Sequence, residues 1–143
     1  VIDTAGNPFT REGEFFRKFQ ELMEVTDLLL LDLKEINPER HRKLTGQENS
    51  KILDLARYLS EIGKPVWIRH VLVPKRSDYE EDLHALRRFL DTLDNVQRVE
   101  VLPYHTLGVF KWDKLGIPYP LEGISAPTKE RVENAERILG CRK

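Results

Sequence analysis

The hydrophobic positions of the chain alternate between two kinds of spacing. Where apolar residues recur three or four positions apart the pattern predicts helices, and these begin near residues 12, 50, 77 and 128. Where aliphatic and β-branched residues run almost continuously the pattern predicts strands. The strands are predicted at 1–3, 28–34, 65–74 and 96–105. The chain is therefore predicted to alternate strands with helices.

Several residues are expected to start or stop the predicted helices. Asn49 or Ser50 is predicted to cap the second helix, which is expected to end at Gly63. Ser77 followed three residues later by Glu80 has the spacing of a capping box and is predicted to open the third helix. These signals place the helix boundaries more closely than periodicity does.

Two stretches lack a clear hydrophobic period. The charge-dense "NPERHRKLTG", which contains His41, is predicted to be a solvated loop. The segment 106–127 is rich in glycine and proline and is predicted to be a long loop. A loop of that length in a compact domain is usually a lid or a binding loop, or is disordered.

Strands that alternate with helices of ten or more residues favour an α/β fold with a parallel sheet. The near-continuous apolar strands favour a sheet that is covered on both faces, either open or curled as part of a barrel. The first strand is predicted to be only the end of a strand, at Val1–Asp3. We therefore expect the chain to be the second half of a larger domain.

Composition narrows the possible functions. The chain has 143 residues, 40% of them hydrophobic and 33% charged, with a formal net charge of −1. This balance gives no basic footprint for nucleic acid or an anionic membrane. Its one cysteine, Cys141, cannot form an internal disulfide, which favours a reducing cytoplasm. One cysteine also cannot hold an iron–sulfur cluster or a cysteine-based zinc site.

The leucine-rich run "LLLLDLK" ends in two charged residues. Because side chains alternate faces along a strand, Leu28, Leu30, Asp32 and Lys34 share one face and the odd-numbered leucines share the other. If the odd-numbered leucines pack under helices, Asp32 and Lys34 point toward the face that a barrel would enclose. From the pattern alone, a solvated strand end is as good an interpretation as a site.

Polar residues lie at the end of every predicted strand, where parallel α/β proteins bind their ligands. The polar residues are Asp3, Thr4, Asp32, Lys34, Arg69, His70, Tyr104 and His105. The same alternation predicts one shared face for Val99, Val101, Pro103 and His105, and one for Trp67, Arg69, Val71 and Val73. One cleft is then expected to collect carboxylates, a lysine, an arginine and a histidine. The alternatives are that Arg69 only bridges to a neighbouring carboxylate and that His70 is a packed or partly exposed histidine.

Five stretches together resemble one family. They are "DTAG" (3–6), "VTDLLLLDLKEIN" (25–37), "HRKLTGQEN" (41–49), "VWIRHVLVP" (66–74) and "VEVLPYHTLGVFKW" (99–112). In this order they resemble the C-terminal half of the radical S-adenosylmethionine (SAM) enzymes that activate glycyl radical enzymes. The resemblance covers nearly the whole chain, and "VWIR" and "LPYHTLG" are its most specific parts.

The resemblance implies the C-terminal half of a partial (β/α)6 TIM-like barrel, residues 1–143, and an oxidoreductase. Such an enzyme cleaves SAM reductively, and the 5′-deoxyadenosyl radical removes a hydrogen atom from a glycine of the partner enzyme. An N-terminal half with CxxxCxxC, which holds a [4Fe-4S] cluster, and a "GGE" stretch are expected, and neither motif occurs here. We therefore expect this chain to be inactive alone. The resemblance also implies a glycyl radical enzyme and an electron donor, flavodoxin or ferredoxin, as partners.

Carried over residue by residue, the resemblance implies SAM contacts at Asp32, Leu33, Lys34 and His105, with Arg69 as a further candidate. Lys34 suits the methionine carboxylate, and His105 suits a ribose hydroxyl.

Asp3, Thr4, Asp32 and the Leu30 carbonyl resemble oxygen ligands of a monovalent cation, since oxygen-only coordination suits a hard ion. The segments 42–49 and 106–125 are expected to face the protein substrate. Two departures from the family pattern affect the rim, Ala5 in "DTAG" and the basic pair in "PKRSD" (74–78).

A second hypothesis is a non-catalytic half-barrel that binds a phosphorylated metabolite or a protein partner. It requires no cysteines upstream of residue 1. The reading frame before Val1 discriminates the two hypotheses, because CxxxCxxC followed by a GGE-like stretch favours the enzyme.

Overall fold

The computed structural model describes residues 1–106, 109–118, 121 and 123–141. The strands are β1 (Ile2–Thr4), β2 (Leu29–Asp32), β3 (Val66–Leu72) and β4 (Val96–Pro103). The helices are α1 (Gly13–Glu24), α2 (Pro38–Thr45), α3 (Ser50–Glu61), α4 (Glu80–Asp91), α5 (Val109–Leu115) and α6 (Lys129–Leu139).

The four strands form one parallel sheet in the order β1-β2-β3-β4. Strands β2, β3 and β4 each pair with the strand that precedes them along the chain, and one or more helices connect each strand to the next. The predicted α/β class with a parallel sheet is confirmed. Because the strands are parallel, their carboxyl ends meet along one edge of the sheet.

One face of the sheet is packed against helices α1, α3, α4 and α6 in a single hydrophobic core. Burying one such aliphatic side chain stabilises the fold by roughly 1.5–3 kcal/mol. The core residues on or next to the strands are Leu29, Leu31, Leu33, Val66, Ile68 and Leu72. The core residues of the helices are Met23, Ile52, Leu55, Ala56, Tyr58, Leu59, Leu83, Leu86, Leu90, Ala135 and Leu139.

The opposite face of the sheet carries the alternate side chains, which are only half-buried. On β2 and just beyond it these are Leu30, Asp32 and Lys34, and on β3 they are Trp67 and Arg69. The predicted alternation of the leucine run is therefore confirmed. In the described residues helices pack against one face of the sheet, and we call the other, less buried side the open face.

Helix α2 lies where the sequence pattern predicted a solvated loop, and that prediction is wrong. Asn37 caps the helix through its side-chain oxygen, which accepts from the backbone N–H of Glu39 and Arg40. The helix ends at Gly46, which adopts a left-handed conformation with φ of 81°. His41 is buried, with its Nδ1 2.6 Å from the carbonyl oxygen of Gln47. Capping rather than hydrophobic period marks this helix.

The predicted capping box at the start of α4 is also wrong. The helix begins at Glu80, and no side chain caps it. Ser77 is instead buried in the preceding turn, where its hydroxyl donates to the carbonyl of Val71 and accepts from the backbone N–H of Val73. Ser77 therefore fixes the chain that follows β3, rather than the helix.

Two parts of the predicted faces point to the core and not to the expected cleft. A register shift between β3 and β4 pairs Val99 with Ile68 and Val101 with His70, so both valines pack toward the core. Val73 lies one residue beyond the end of β3 and is buried, although the period predicted it beside Arg69. A β-bulge inserts one residue and so exchanges the two faces of the strand beyond it.

The segment predicted as one long loop contains α5, and parts of it lie outside the described residues. None of the described helices is long and apolar enough to span a membrane.

Candidate functional site

Three side chains meet on the open face of neighbouring strands, one at the end of β2 and two within β1 and β3. Asp32 is the last residue of β2 and pairs in register with Arg69 of β3. Asp3 of β1 pairs in register with Leu30. Residues in register on parallel strands point to the same face, so all three charged groups are presented together.

Arg69 joins the two carboxylates. Its Nε donates to Oδ1 of Asp32 at 3.0 Å, and its Nη2 lies 2.9 Å from the same oxygen. Nη2 also donates to Oδ1 of Asp3. The Arg69 and Asp32 side chains are 20% and 21% exposed, whereas Asp3 is 57% exposed. The pair between β2 and β3 is thus the better shielded half of the network.

The carboxylates hold Arg69 in its charged form. Burial opposes the charge, but the hydrogen bonds to Asp3 and Asp32 outweigh it and raise the pKa of Arg69. Two negative charges around one guanidinium leave this group with a net negative charge. Such a group can bind a cation or the ammonium of a ligand.

Lys34 lies two residues beyond Asp32 on the same face and is half-buried. No other described residue makes an ion pair or hydrogen bond with its ammonium group. A half-buried cation in this position is available for an external anion, because nothing in the described part of the chain neutralises it.

Two of the other predicted SAM contacts, Leu33 and His105, do not clearly present a side chain on the open face. The side chain of Leu33 is buried in the core, its backbone N–H donates to the Arg69 carbonyl at 2.9 Å, and its carbonyl lies 2.8 Å from Nδ1 of His70. His105 is exposed and follows Tyr104 beyond the end of β4. The alternation argument therefore does not fix its direction.

Thr4 lies on the other side of the sheet from Asp3. Its register partner is the buried Leu31, and its hydroxyl accepts a hydrogen bond from the backbone N–H of Gly6 at 2.9 Å. Among the described residues, no three histidine, cysteine, aspartate or glutamate side chains are grouped so that they could hold a metal ion.

Sequence reasoning missed a buried acidic pair next to Lys34. Glu35 is 3% exposed, its Oε1 accepts from the backbone N–H of Asn37, and its Oε2 is buried without a donor. Burial, followed by the negative charge of Asp82, raises the pKa of Glu35 to about 8, against the opposing effect of the Asn37 hydrogen bond. A proton on Glu35 supplies the missing donor toward Asp82. Asp82 also accepts from Arg40.

His70 lies on the buried side of β3, as the packed-histidine alternative predicted. Its Nδ1 is 2.8 Å from the Leu33 carbonyl and its Nε2 is 3.0 Å from the Ser77 carbonyl. Burial lowers the pKa of His70 in spite of these two carbonyls. His70 therefore ties the end of β2 to the turn after β3 as a neutral ring.

Curated relatives share much of this sequence. No protein-family model matches the chain. The pyruvate formate-lyase-activating enzyme of Streptococcus mutans is 56% identical over 139 residues, which is 97% of this chain and 53% of the relative. The enzymes of the same name from Listeria monocytogenes and Staphylococcus epidermidis are 56% and 52% identical, over 97% and 96% of this chain. The chain spans about half the length of these relatives, 56% and 55% for the last two.

Solved structures share the fold. A domain of pyruvate-formate lyase-activating enzyme from Bacteroides vulgatus aligns with a TM-score of 0.73 and 23% identity, over 96% of this chain and 73% of the other. A radical SAM methyltransferase from Sphaerobacter thermophilus aligns with a TM-score of 0.61 and 21% identity, over 96% of this chain and 36% of the other. The family resemblance drawn from the sequence motifs is confirmed: the chain is homologous, over nearly its whole length, to part of the pyruvate formate-lyase-activating enzymes.

Proposed function

We propose that residues 1–143 form the C-terminal half of a radical SAM domain in an enzyme that activates pyruvate formate-lyase. In this proposal the domain is a partial (β/α)6 barrel, and the open face of the sheet lines its interior. The observation that carries the proposal is Lys34, a half-buried cation that makes no ion pair or hydrogen bond with another described residue, two positions beyond Asp32 on the same face. The sequence identity to enzymes of that name supports the choice of ligand.

The residues present suit the amino-acid end of SAM. Lys34 binds the methionine carboxylate, and the net negative group of Asp3, Asp32 and Arg69 attracts the positively charged remainder. His105 hydrogen-bonds a ribose hydroxyl. Leu33 contributes position rather than a hydrogen bond, because its backbone groups are already paired with Arg69 and His70.

A monovalent cation fits the same place. The carboxylates of Asp3 and Asp32 and the Leu30 carbonyl supply hard oxygen ligands. The hydroxyl of Thr4 is already bonded to Gly6, so Thr4 is expected to contribute its carbonyl. Such an ion shares the two carboxylates with Arg69 and partly offsets their charge.

The residues of this chain do not fit an iron–sulfur cluster. A cluster bound through CxxxCxxC needs three thiolates, and the single Cys141 is half-buried, with its pKa raised to about 11 chiefly by burial. The cluster is therefore assigned to a part of the enzyme other than residues 1–143. When bound, SAM and the reduced cluster supply the radical that takes a hydrogen atom from a glycine of the partner.

The partner is expected at the rim around the open face. Segment 42–49, at the end of α2, presents Arg42, Lys43, Gly46, Gln47 and Glu48 to solvent. Segment 106–125 is the second expected contact, and part of it lies outside the described residues. The glycyl radical enzyme is pyruvate formate-lyase in this proposal, the electron donor is flavodoxin or ferredoxin, and the compartment is the cytoplasm.

Calorimetric titration of SAM into the intact, cluster-loaded enzyme tests the assignment of Lys34. Lys34→Ala is expected to weaken SAM binding about tenfold or more, because one charge-assisted hydrogen bond contributes roughly 1.5–3 kcal/mol. Lys51→Ala, at an exposed position of α3, removes the same charge and is expected to leave the affinity unchanged. Equal affinity in wild type and Lys34→Ala would remove Lys34 from the site.

Reconstitution tests the assignment of the cluster. Residues 1–143 incubated with iron and sulfide under anaerobic conditions are expected to show no [4Fe-4S] absorption band and no SAM cleavage. The intact enzyme treated in the same way is the positive control. A cluster band from residues 1–143 alone contradicts the assignment.

A further inference from the structure

A concave basic surface lies on the same rim but outside the site described above. It is lined by Arg40, Lys43, Lys75, Arg76 and Tyr79 and encloses about 380 Å³. We call it the basic pocket. Its residues come from α2 and from the turn after β3, so it faces the carboxyl-end edge of the sheet. None of its lining residues belongs to the network of Asp3, Asp32 and Arg69.

Three of the four cations in the basic pocket are not neutralised. Arg40 is paired with Asp82 and, at 2.9 Å, with Glu81. Lys43, Lys75 and Arg76 make no ion pair with any other described residue. Since the protein as a whole is nearly neutral, at a formal net charge of −1, this concentration of positive charge is local.

The backbone that carries two of these cations is fixed. Lys75 adopts a left-handed conformation with φ of 63°, the only non-glycine residue with positive φ in the described chain. Its N–H donates to Oδ1 of Asp78 at 2.9 Å, and the N–H groups of Arg76 and Ser77 donate to the Val73 carbonyl at 3.0 and 2.9 Å. Backbone held in a sparsely populated conformation by surrounding bonds is characteristic of binding sites.

Tyr79 forms a wall of the basic pocket. The guanidinium of Arg40 lies 4.0 Å from the centre of the Tyr79 ring, so ring and guanidinium hold each other in place. The Tyr79 hydroxyl donates to the Lys75 carbonyl at 3.3 Å, and the residue is 40% exposed. The pocket therefore has a rigid aromatic side next to its cations.

We propose that the basic pocket binds a small molecule that carries a di- or triphosphate group. Several adjacent phosphate charges match three converging cations, whereas a single carboxylate does not require them. Arginine and lysine are the usual phosphate-binding side chains. The enclosed volume lies within the range of about 300–1,000 Å³ that is typical of small-molecule sites. This site goes beyond the proposed function and does not rest on it.

Calorimetric titration with inorganic pyrophosphate and, separately, with ADP tests the proposal. A triple variant, Lys43→Gln with Lys75→Asn and Arg76→Gln, removes the three unpaired cations, and asparagine tolerates the left-handed backbone at position 75. The matched control is Lys18→Gln with Lys51→Gln and Arg88→Gln, which removes the same number of charges at exposed helix positions. Circular dichroism and thermal unfolding check that both variants fold.

Pyrophosphate is expected to bind the wild type and the control alike, and to bind the triple variant at least about tenfold more weakly. Tighter binding of ADP than of pyrophosphate identifies a nucleotide that uses Tyr79, and equal binding identifies the diphosphate alone. An equal loss in both triple variants, no binding to wild type at millimolar concentration, or binding of a polyglutamate peptide in preference to both phosphates overturns the proposal. Asp32→Asn leaves pyrophosphate binding unchanged, which separates this test from that of the SAM site.

Discussion

Arg69 and Asp32 are register partners on neighbouring parallel strands, and the guanidinium Nε donates to the carboxylate at 3.0 Å. The contact links the end of β2 to the middle of β3 through their side chains. The same guanidinium reaches Asp3 on the next strand, so one residue connects three strands on the open face.

Arg69→Gln is expected to lower the free energy of unfolding by about 1–3 kcal/mol, because it leaves the half-buried Asp32 without its partner. Asp3→Asn is expected to lower it by less than about 1 kcal/mol, since the Asp3 side chain is 57% exposed. Urea denaturation at pH 7 measures both. Equal losses in the two variants contradict the view that the β2–β3 pair is the shielded half of the network.

The raised pKa of Glu35 predicts that the stability of the fold depends on pH. Its pKa in the folded protein is raised from 4.5 to about 8, so between these values the folded state holds a proton that the unfolded state has lost. Stability is therefore expected to fall as pH rises through this window, by at most about 1.4 kcal/mol per pH unit, and to level off above about pH 8. Glu35→Gln keeps an acceptor for the Asn37 N–H and can donate to Asp82.

Denaturation midpoints of wild type and Glu35→Gln, measured from pH 5 to pH 9, test this dependence. The stability of the variant relative to wild type is expected to rise with pH. Parallel curves would mean that Glu35 is ionised in the folded protein throughout.

The lowered pKa of His70 predicts the opposite change of stability with pH, at lower pH values. Burial lowers its pKa below the ordinary value of 6.5, so below that value the unfolded state binds a proton that the folded state does not. Stability is expected to fall as pH decreases from 6.5 through the folded pKa. His70→Gln removes this titration, and its stability relative to wild type is expected to rise as the pH decreases. If stability falls equally steeply with decreasing pH in wild type and in His70→Gln, the assignment of this pH dependence to His70 is contradicted.

Gly6 and Gly13 form a matched pair for backbone strain. Both have positive φ, 76° and 72°, but a Cβ at Gly6 meets Leu55 at 3.0 Å and Leu31 at 3.3 Å, whereas a Cβ at Gly13 meets nothing within 4 Å. Gly13→Ala is expected to cost about 1–2 kcal/mol for the backbone alone. Gly6→Ala is expected to cost about 1–3 kcal/mol more, because it overpacks the core. Equal thermal shifts in the two variants would exclude the packing contribution.

The alternation of the leucine run was sufficient to predict which side of the sheet holds Asp32. Leu29, Leu31 and Leu33 are 1%, 0% and 4% exposed. Because these three leucines pack in the core, Asp32 lies on the opposite side of the sheet. The network with Arg69 was foreseen only as the alternative of a bridge to a carboxylate. Strand alternation gives the face of a residue but not its partner across the sheet.

Other features depend on tertiary contacts that no local pattern reports. Val99 and Val101 share a face, as predicted, but their register with Ile68 and His70 turns that face to the core, and the period of two does not give the register between strands. The charged residues of "NPERHRKLTG" led to the prediction of a loop, although the segment forms a helix that is defined by its caps. The raised pKa of Glu35 arises from burial beside Asp82, which is 47 positions away in the sequence.

The strand order of the sheet bears on how the chain folds. Among the described strands, each of β2, β3 and β4 hydrogen-bonds to the strand made just before it, so none of these pairings requires a segment synthesised much later. Every completed βα unit offers an edge on which the next strand can be added. The molecule is thus suited to growth in the direction of translation, and Arg69 can join Asp32 and Asp3 as soon as β3 emerges.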